Sequence, residues 1–148
     1  MRALFSLLLL VSTSLAVHAE GLVKIESQHS VKETANRLAS AIEQRGIKIA
    51  ARVDHAAGAK AAGLELAPSE LLVFGNPKLG TPLMQTNPEA GVDLPMKIIT
   101  WQDGAGKVWI GFTDPADIKS RHGIKGHDEI FATMRKALDG LARAAGGK

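Results

Sequence analysis

The sequence predicts an α+β domain of two layers, in which helices cover one face of a mostly antiparallel sheet. Helix-like and strand-like segments follow one another along residues 20–148 in the order strand, helix, four strands, helix, with short helical inserts. The two long helices stand apart from the run of four strands and do not alternate with them, which favours a mostly antiparallel sheet. No repeat, low-complexity tract or internal linker interrupts residues 20–148, so we expect a single domain.

The predicted strands are short runs in which apolar residues alternate with polar ones or follow one another directly. They cover residues 22–27, 47–53, 70–74, 96–101 and 107–113. The run 47–53 alternates and predicts a half-buried strand, whereas 70–74 is apolar after its first residue and predicts a buried one. The last two runs flank Asp103–Gly106 and predict a hairpin.

The predicted helices have recognisable starts. Ser30 and Glu33 match a capping box, and apolar residues then recur at helical spacing over 31–45. Asp114 followed by Pro115 combines an N-cap with a proline at the first helical position. The predicted helices are 31–45, an alanine-rich one at 56–62, a short one from Pro115 and a C-terminal one from Asp128 onward.

Residues 1–19 have the features of a secretory signal peptide. Arg2 precedes a short apolar core, and small residues precede a cleavage position after Ala19. An uncleaved membrane anchor needs about 20 apolar residues, whereas hydroxyl residues interrupt this run after Val11. We therefore expect cleavage near Ala19, a periplasmic or secreted protein, and no stable membrane insertion after cleavage. The chain contains no cysteine, so disulfides and thiolate sites are excluded.

Charge and aromatic content argue against nucleic acid as a partner. The net charge is +3, and Arg2 contributes to it only until the predicted leader is removed. Lysines and arginines are scattered, and the chain has no tyrosine and two tryptophans, so it lacks the platforms on which bases stack. Trp101 and Trp109 fall on the two arms of the hairpin, where packing is expected, with a ligand-stacking surface as the alternative.

The segment 76–95 is predicted as a long connection between two strands, rich in proline. Connections beyond about 12–15 residues are uncommon in compact domains and are usually functional or disordered. Thr81 and Pro82 are expected to cap a single helical turn that ends at Gln85. Backbone amides beside Lys78 suit a small anionic ligand, and packing over a sheet edge or against another subunit is the alternative. The ligand-binding candidates here are Gly75, Asn76, Pro77, Lys78, Gly80, Thr81 and Met84.

Two histidines are further candidates for the same pocket. His55 and His122 are expected as its neighbours, and Asp54 beside His55 suggests a tuned imidazole. No pair of histidines has the spacing of a helical zinc site, so we predict no metal and no cofactor. Asp93 and Asp114 stand at turn or cap positions, where we expect them to bond the backbone. No residue is assigned a catalytic role.

Five segments share their pattern with a known family. They are Leu72–Pro77, Gly80–Met84, Asp93–Lys97, Asp54–His55 with the alanines that follow, and Arg121–Gly123. Together they resemble the small prokaryotic domain-of-unknown-function family 302 (DUF302), over residues 22–144. The resemblance implies a TATA-binding-protein-like topology and homodimers, and it implies no established activity. The fold label gives no reason to expect DNA binding.

These residues leave three functions open. The first is a non-enzymatic periplasmic domain that binds or senses a small ligand as a homodimer. The second is an enzyme that acts on a small envelope metabolite with His55 or His122 as general base. The third is a structural or interaction module in which segment 76–95 forms a subunit interface.

Overall fold

Five strands and five α-helices, with one 3₁₀ helix, form the part of the chain that the computed structural model describes, residues 21–147. The strands are β1 Leu22–Ser27, β2 Lys48–Asp54, β3 Ser69–Gly75, β4 Met96–Gln102 and β5 Val108–Thr113. The helices are α1 Val31–Gln44, α2 His55–Ala61, α3 Pro77–Thr86, α4 Pro115–Arg121 and α5 Asp128–Gly146, and the 3₁₀ helix is Pro88–Val92. The predicted leader, residues 1–19, lies outside the described residues.

The five strands form one antiparallel sheet in the order β1-β5-β4-β3-β2. The helices α1 and α5 pack against each other and against this sheet. This arrangement confirms the predicted two-layer α+β fold and its order of strand, helix, four strands, helix. It is also the TATA-binding-protein-like topology that the resemblance implied. The predicted hairpin is present as β4 and β5, with Trp101 opposite Trp109.

The core lies between the sheet and the two long helices. Side chains alternate along each strand, so every second residue of β3, β4 and β5 points towards the helices. The large side chains that are fully buried include Leu38, Ile42, Leu72, Ile98, Ile110, Phe112, Leu138 and Leu141. Burying one such side chain contributes about 1.5–3 kcal/mol relative to leaving it exposed, and this packing holds α1 and α5 on the sheet.

Polar contacts fix the position of α1. Ser30 accepts a hydrogen bond from the amide of Glu33, which confirms the Ser30 half of the predicted capping box, and the Glu33 carboxylate contacts Nδ1 of His29 at 3.2 Å. The hydroxyls of Ser27 and Thr34 lie 2.7 Å apart in a buried contact between β1 and α1. Nε of Arg37 donates to the carbonyl of Ala145 at 3.1 Å, where a cation also suits the negative end of the α5 dipole. These contacts join α1 to β1 and to the end of α5.

The strand β2 is more exposed than the alternating pattern of residues 47–53 predicted. Its pairing with β3 shifts register between Ile49 and Ala51. Such a bulge interrupts the alternation of side chains between the two faces. Ile49 is half-buried, whereas Ala51 and Val53 lie opposite β3 residues of the uncovered face and are exposed. The expectation of a half-buried strand therefore fails beyond the bulge.

The segment 76–95, predicted as a long connection, is mostly helical. The side chain of Asn76 caps α3, and Pro77 occupies the first turn, where its missing N–H is not needed. The next Asn–Pro pair starts a helix in the same way: Asn87 caps the 3₁₀ helix and Pro88 is its first residue. Two consecutive helical elements thus replace most of the irregular chain that the sequence suggested.

Pro82 lies inside α3, so the single turn predicted from Thr81 to Gln85 is wrong. A proline in a helix interior costs roughly 3 kcal/mol or more because it removes a hydrogen bond and crowds the preceding turn. Its neighbour Leu83 is completely buried, and the hydroxyl of Thr86 donates to the carbonyl of Pro82 at 3.1 Å. Tertiary packing of Leu83 therefore offsets the local penalty.

Candidate functional site

Antiparallel pairing gives the sheet two ends that carry different connections. At one end, β3 finishes at Gly75 and β4 begins at Met96, and α3 connects to this end. At the other end, β2 finishes at Asp54, which lies opposite Glu70 of β3, and α2 follows directly. We call these the α3 end and the α2 end. The seven residues of β3 span roughly 20 Å between them.

The structure divides the predicted site residues between the two ends. Those at the α3 end are Gly75, Asn76, Pro77, Lys78, Gly80, Thr81 and Met84. His122 also lies there, because its carbonyl accepts a hydrogen bond from the Asn87 side chain at 2.9 Å. His55 is exposed and begins α2 at the opposite end of the sheet. The expectation that His55 and His122 border one pocket is therefore wrong, because β2 carries His55 away along the length of β3.

Gly75 permits a close approach between β3 and the chain that enters β4. A β-carbon at Gly75 would lie 2.9 Å from the β-carbon of Pro95. Real β-carbons essentially never come so close, so a larger residue would force one of the two segments to move. The glycine of this motif therefore has a packing role.

The backbone amides of the first turn of α3 are engaged within the helix. The side-chain oxygen of Asn76 accepts from the amide of Lys78 at 3.0 Å. The carbonyl of Asn76 accepts from the amides of Leu79 and Gly80 at 2.9 and 3.1 Å. The prediction of an anion held by amides of this segment loses part of its physical basis, while the side chains of Lys78 and Thr81 are exposed.

Asp93, Arg121 and His122 form a cluster at the α3 end, which we call the Asp93 cluster. Nε2 of His122 lies 2.7 Å from Oδ2 of Asp93, so the N–H donates to the carboxylate. One guanidinium nitrogen of Arg121 donates to both carboxylate oxygens at 3.0 and 2.9 Å. Lys97 donates to the carbonyl of Asp93 at 3.2 Å. The cluster ties α4 to the connection that precedes β4.

The electrostatics of this cluster favour the ionised carboxylate. Burial raises the pKa of Asp93, but the hydrogen bond from His122 and the charge and hydrogen bond of Arg121 together lower it by more than burial raises it. The pKa of Asp93 therefore lies below its usual value. Folding is thus coupled to deprotonation of this side chain.

In many enzymes an aspartate also orients a histidine that acts as the general base. The His122 side chain is only 7 % exposed, and its Nε2 is committed to Asp93. Neither of the two clefts described below is lined by Asp93 or His122. The geometry therefore supports a structural role, in which the pair fastens α4 to the end of the sheet.

Sequence reasoning treated Asp93 as a turn residue and missed these partners. Arg121 and His122 lie 28 and 29 residues away along the chain, so no local periodicity reports the contact. The usable signal was the resemblance, since Asp93–Lys97 and Arg121–Gly123 both carry it. Two of its segments meet in space here.

A cleft of about 780 Å³ opens at the α2 end between the start of α1, helix α2 and the segment that leads into β3. We call it the α2 cleft. Its lining includes Val31, Lys32, Asp54, Ala56, Ala57, Lys60, Leu64, Glu65, Leu66 and Glu70. Apolar side chains make up part of the wall, and lysines and carboxylates stand among them. Sequence reasoning did not find this cleft, because α1 and α2 are separated in sequence by β2.

Glu70 is a buried charge in the lining of the α2 cleft. Its side chain is 4 % exposed and lies 2.6 Å from Arg52 and 3.3 Å from Lys32. Arg52 also donates to the side-chain oxygen of Asn36 at 2.9 Å. A carboxylate buried this deeply requires such partners, and Arg52 and Lys32 together neutralise its negative charge.

A second, smaller depression of about 330 Å³ lies nearby and is almost wholly apolar. We call it the Trp101 groove. It is lined by Leu22, Leu66, Ala67, Pro68, Ser69, Ile99, Trp101 and Gln102. A β-carbon at Gly111 would come within 2.8 Å of Cζ3 of Trp101, so glycine is what lets the indole lie against β5. Nζ of Lys24 stands 5.8 Å from the centroid of that ring.

Within residues 21–147, no group of three or more His, Cys, Asp or Glu side chains is arranged to hold a metal ion. In the same range, no helix combines the length and the apolar character that spanning a membrane requires.

We expect the Gly75→Ala variant to lose about 1–3 kcal/mol of unfolding free energy, because the new methyl group collides with Pro95. Urea unfolding followed by circular dichroism measures this loss. Gly104→Ala is the matched control, since nothing lies within 4 Å of its β-carbon position. Equal midpoints for the two variants would show that the approach of Pro95 to Gly75 is not tight.

We expect the Asp93→Asn variant to lose about 1–3 kcal/mol, because His122 and Arg121 no longer share an ionised acceptor. The lowered pKa sets the sign of the pH dependence. The wild-type advantage is complete above the ordinary carboxyl pKa of about 3.9 and declines as pH falls through the lower folded value. Urea unfolding from pH 7 to pH 2 tests this, with Asp117→Asn as control. A gap that does not shrink in acid would contradict the coupling.

Comparison with known proteins places this fold and these segments in a family. The family model described as "Domain of unknown function DUF302" matches residues 23–141. A crystal structure of an uncharacterized conserved DUF302 protein from Bacillus stearothermophilus superposes with a TM-score of 0.76. It covers 86% of this chain and 99% of the other at 22% sequence identity, a level at which the likeness shows the fold.

Three curated relatives come from Brucella. Proteins named fluoride-specific ion channel FluC 1, from Brucella suis and Brucella abortus, and FluC 2, from Brucella melitensis, are each 51% identical over 104 residues, or 70% of this chain. The matched stretch is 41% of the Brucella suis protein and 38% of the other two. The chain thus spans about two fifths of the length of these relatives. The family model covers most of the chain and the fold agrees with it, so the chain belongs to the DUF302 family.

Proposed function

We propose that this chain is a non-enzymatic, exported domain that binds a small ligand and acts as a homodimer. The observation that carries the proposal is the α2 cleft, whose volume of about 780 Å³ lies within the range of ligand pockets, roughly 300–1,000 Å³. Its wall combines apolar side chains with a few charged ones, the composition that fixes and orients small organic ligands. Export follows from the signal-like residues 1–19.

Lys60 is the cation of the α2 cleft that is available to an anionic group on the ligand. Glu70 is already paired with Arg52 and Lys32, and Asp54 accepts the amide of Ala57 as the cap of α2. Lys60 stands in the wall as an exposed cation and Glu65 as an exposed carboxylate. The first turn of α1 also borders the cleft and adds the positive end of its dipole. We therefore move the predicted anionic ligand from α3 to this cleft.

The histidines support binding over catalysis. His55 is exposed and does not contribute to the lining of the α2 cleft, and His122 is held by Asp93 at the other end of the sheet. A general base must come within hydrogen-bond reach of its substrate. Neither histidine has that relation to the α2 cleft, so an enzyme that uses them would need a different substrate site.

The homodimer is proposed through the β2 side of the sheet face that the helices leave uncovered. Ala51 lies opposite Val73 and Val53 opposite Leu71, and Val53 is 40% exposed. Apolar patches on a sheet face are typical of surfaces that another molecule covers. A second copy, related by a two-fold axis, would cover the patch on both chains.

A second candidate function comes from the Brucella relatives. The names of these relatives assign fluoride-specific channel activity to the whole proteins, of which this chain matches about two fifths. The matched portion would then be a domain that serves such a channel, with fluoride as the anion it binds. Fluoride is therefore included among the anions of the titration below.

We expect hexanoate, a small carboxylate, to shift the backbone NMR signals of residues in the α2 cleft. We expect the Lys60→Ala variant to bind hexanoate up to about fivefold more weakly, because an exposed ion pair contributes little binding free energy. Lys78→Ala is the matched control, since Lys78 is an exposed lysine of the α3 end. The same titration with fluoride, against chloride at equal ionic strength, tests the second candidate. A loss of hexanoate binding in Lys78→Ala alone would return the site to α3.

We expect the Val53→Glu variant to weaken the dimer at least tenfold, because it would bury a carboxylate in an apolar contact. Analytical ultracentrifugation over a concentration series measures the dimer dissociation constant. Val92→Glu is the control, because Val92 is 75% exposed and lies in the 3₁₀ helix at the α3 end. A dimer that is sensitive to Val92→Glu and insensitive to Val53→Glu would move the interface to the α3 end.

A further inference from the structure

We infer that the ligand of this domain is an amphipathic anion, with its charged head in the α2 cleft and an alkyl chain in the Trp101 groove. The inference rests on the proposed function and adds the chemical class of the ligand. It follows from the relation between the cleft and the groove, from the apolar character of the groove and from the exposure of two leucines between α2 and β3.

The cleft and the groove lie on either side of one segment. Leu66, Ala67, Pro68 and Ser69 line both. Residues 62–68 connect α2 to β3 without helix or strand. The cleft lies on the helix side of the sheet with Glu70, and the groove lies on the uncovered face with Ile99 and Trp101. A ligand that occupies both would pass over the exposed side chain of Leu66, which lines both.

That second surface suits a hydrocarbon. Ile99 and Trp101 supply strand and ring surface, and Leu22 reaches the same place from β1. The indole lies over Gly111, where a β-carbon would be only 2.8 Å from its Cζ3 atom. Residues along the groove offer almost no polar atoms to a ligand, so burial of apolar area is the interaction available there.

The connecting segment itself exposes apolar surface beside a cation. Leu64 and Leu66 are 66% and 53% exposed, and Lys60 and Glu65 stand in the same cleft wall. An alkyl chain whose carboxylate faces Lys60 would cover these leucines on its way to Trp101. A polar ligand confined to the cleft would leave the groove and Leu66 in water.

The test uses two carboxylates that differ only in chain length, hexanoate and decanoate, with isothermal titration calorimetry and backbone NMR on the intact mature chain. We expect decanoate to bind more tightly, by up to about fourfold for each methylene group that the groove buries. Decanoate, unlike hexanoate, should also shift the indole signal of Trp101. Decylammonium should bind more weakly than decanoate because the head contacts Lys60, and tighter binding of decylammonium would place the head at Glu65 and overturn the inference.

Three variants locate the two parts of the ligand. Ile99→Asn should remove most of the gain from chain length and leave hexanoate binding unchanged. Leu66→Ser should also weaken decanoate binding, and it alters a side chain that is 53% exposed, so it keeps the test decisive if Ile99→Asn fails to fold. Lys60→Ala should weaken both acids by the same factor.

Equal affinity for the two acids, or a gain from chain length that survives both groove variants, would overturn the inference while hexanoate binding leaves the proposed function standing. Absence of binding by either acid would overturn both. Signals of Ile99 and Trp101 that respond to protein concentration and not to decanoate would show that a second copy covers the groove, which also overturns the inference.

Discussion

The antiparallel pairing of β3 with β2 and β4 is the constraint on which the rest of this structure depends. Because β3 is internal to the sheet, with β2 on one side and β4 on the other, its two ends determine which connections can meet. The end at Gly75 receives α3 and the approach to β4, and the end at Ser69 receives α2 and the start of α1. Asp54 therefore lies opposite Glu70 of the strand that follows α2. His55 and His122 are instead separated by the length of β3.

Polar side chains are bonded at both ends, since Glu70 pairs with Arg52 and Lys32 at the α2 end, but the α2 end also has an open cleft beside them. At the α3 end, Asn76 and Asn87 cap helices and the Asp93 cluster joins α4 to the chain before β4. Groups bonded in this way stabilise the fold and have little capacity left for a ligand. At the α2 end, exposed leucines and Lys60 border an open cleft. The difference is the physical reason for placing ligand binding at the α2 end.

Much of the fold could be predicted from the sequence, because periodicity reports burial directly. The strands of the hairpin and the long helix after Ser30 follow from alternation and from a cap. The failures have specific causes. A bulge between Ile49 and Ala51 changed which face of the sheet the later residues of β2 occupy. The proline at position 82 argued against a helix from 77 to 86, but burial of Leu83 offsets the free-energy cost of that proline, and α3 forms. The repeated Asn–Pro starts were the signal that could have revealed the helices. Neither the Asp93 cluster nor the α2 cleft could be predicted, since both join residues that are distant along the chain.

The segments that identify the family and the surfaces that suit a ligand are largely different parts of the molecule. Four of the five segments that carry the resemblance lie wholly or partly at the α3 end, where Gly75 makes room for Pro95 and Asp93 holds His122. Their chemistry is that of caps, close approaches and ion pairs, and these requirements belong to the fold. The α2 cleft is lined by alanines, leucines, lysines and carboxylates, and Asp54, Ala56 and Ala57 of this lining belong to the fifth segment. The fold itself is kept at 22% sequence identity. Membership of the family therefore specifies the scaffold, and the ligand that we propose depends on the further side chains of the cleft, above all Lys60.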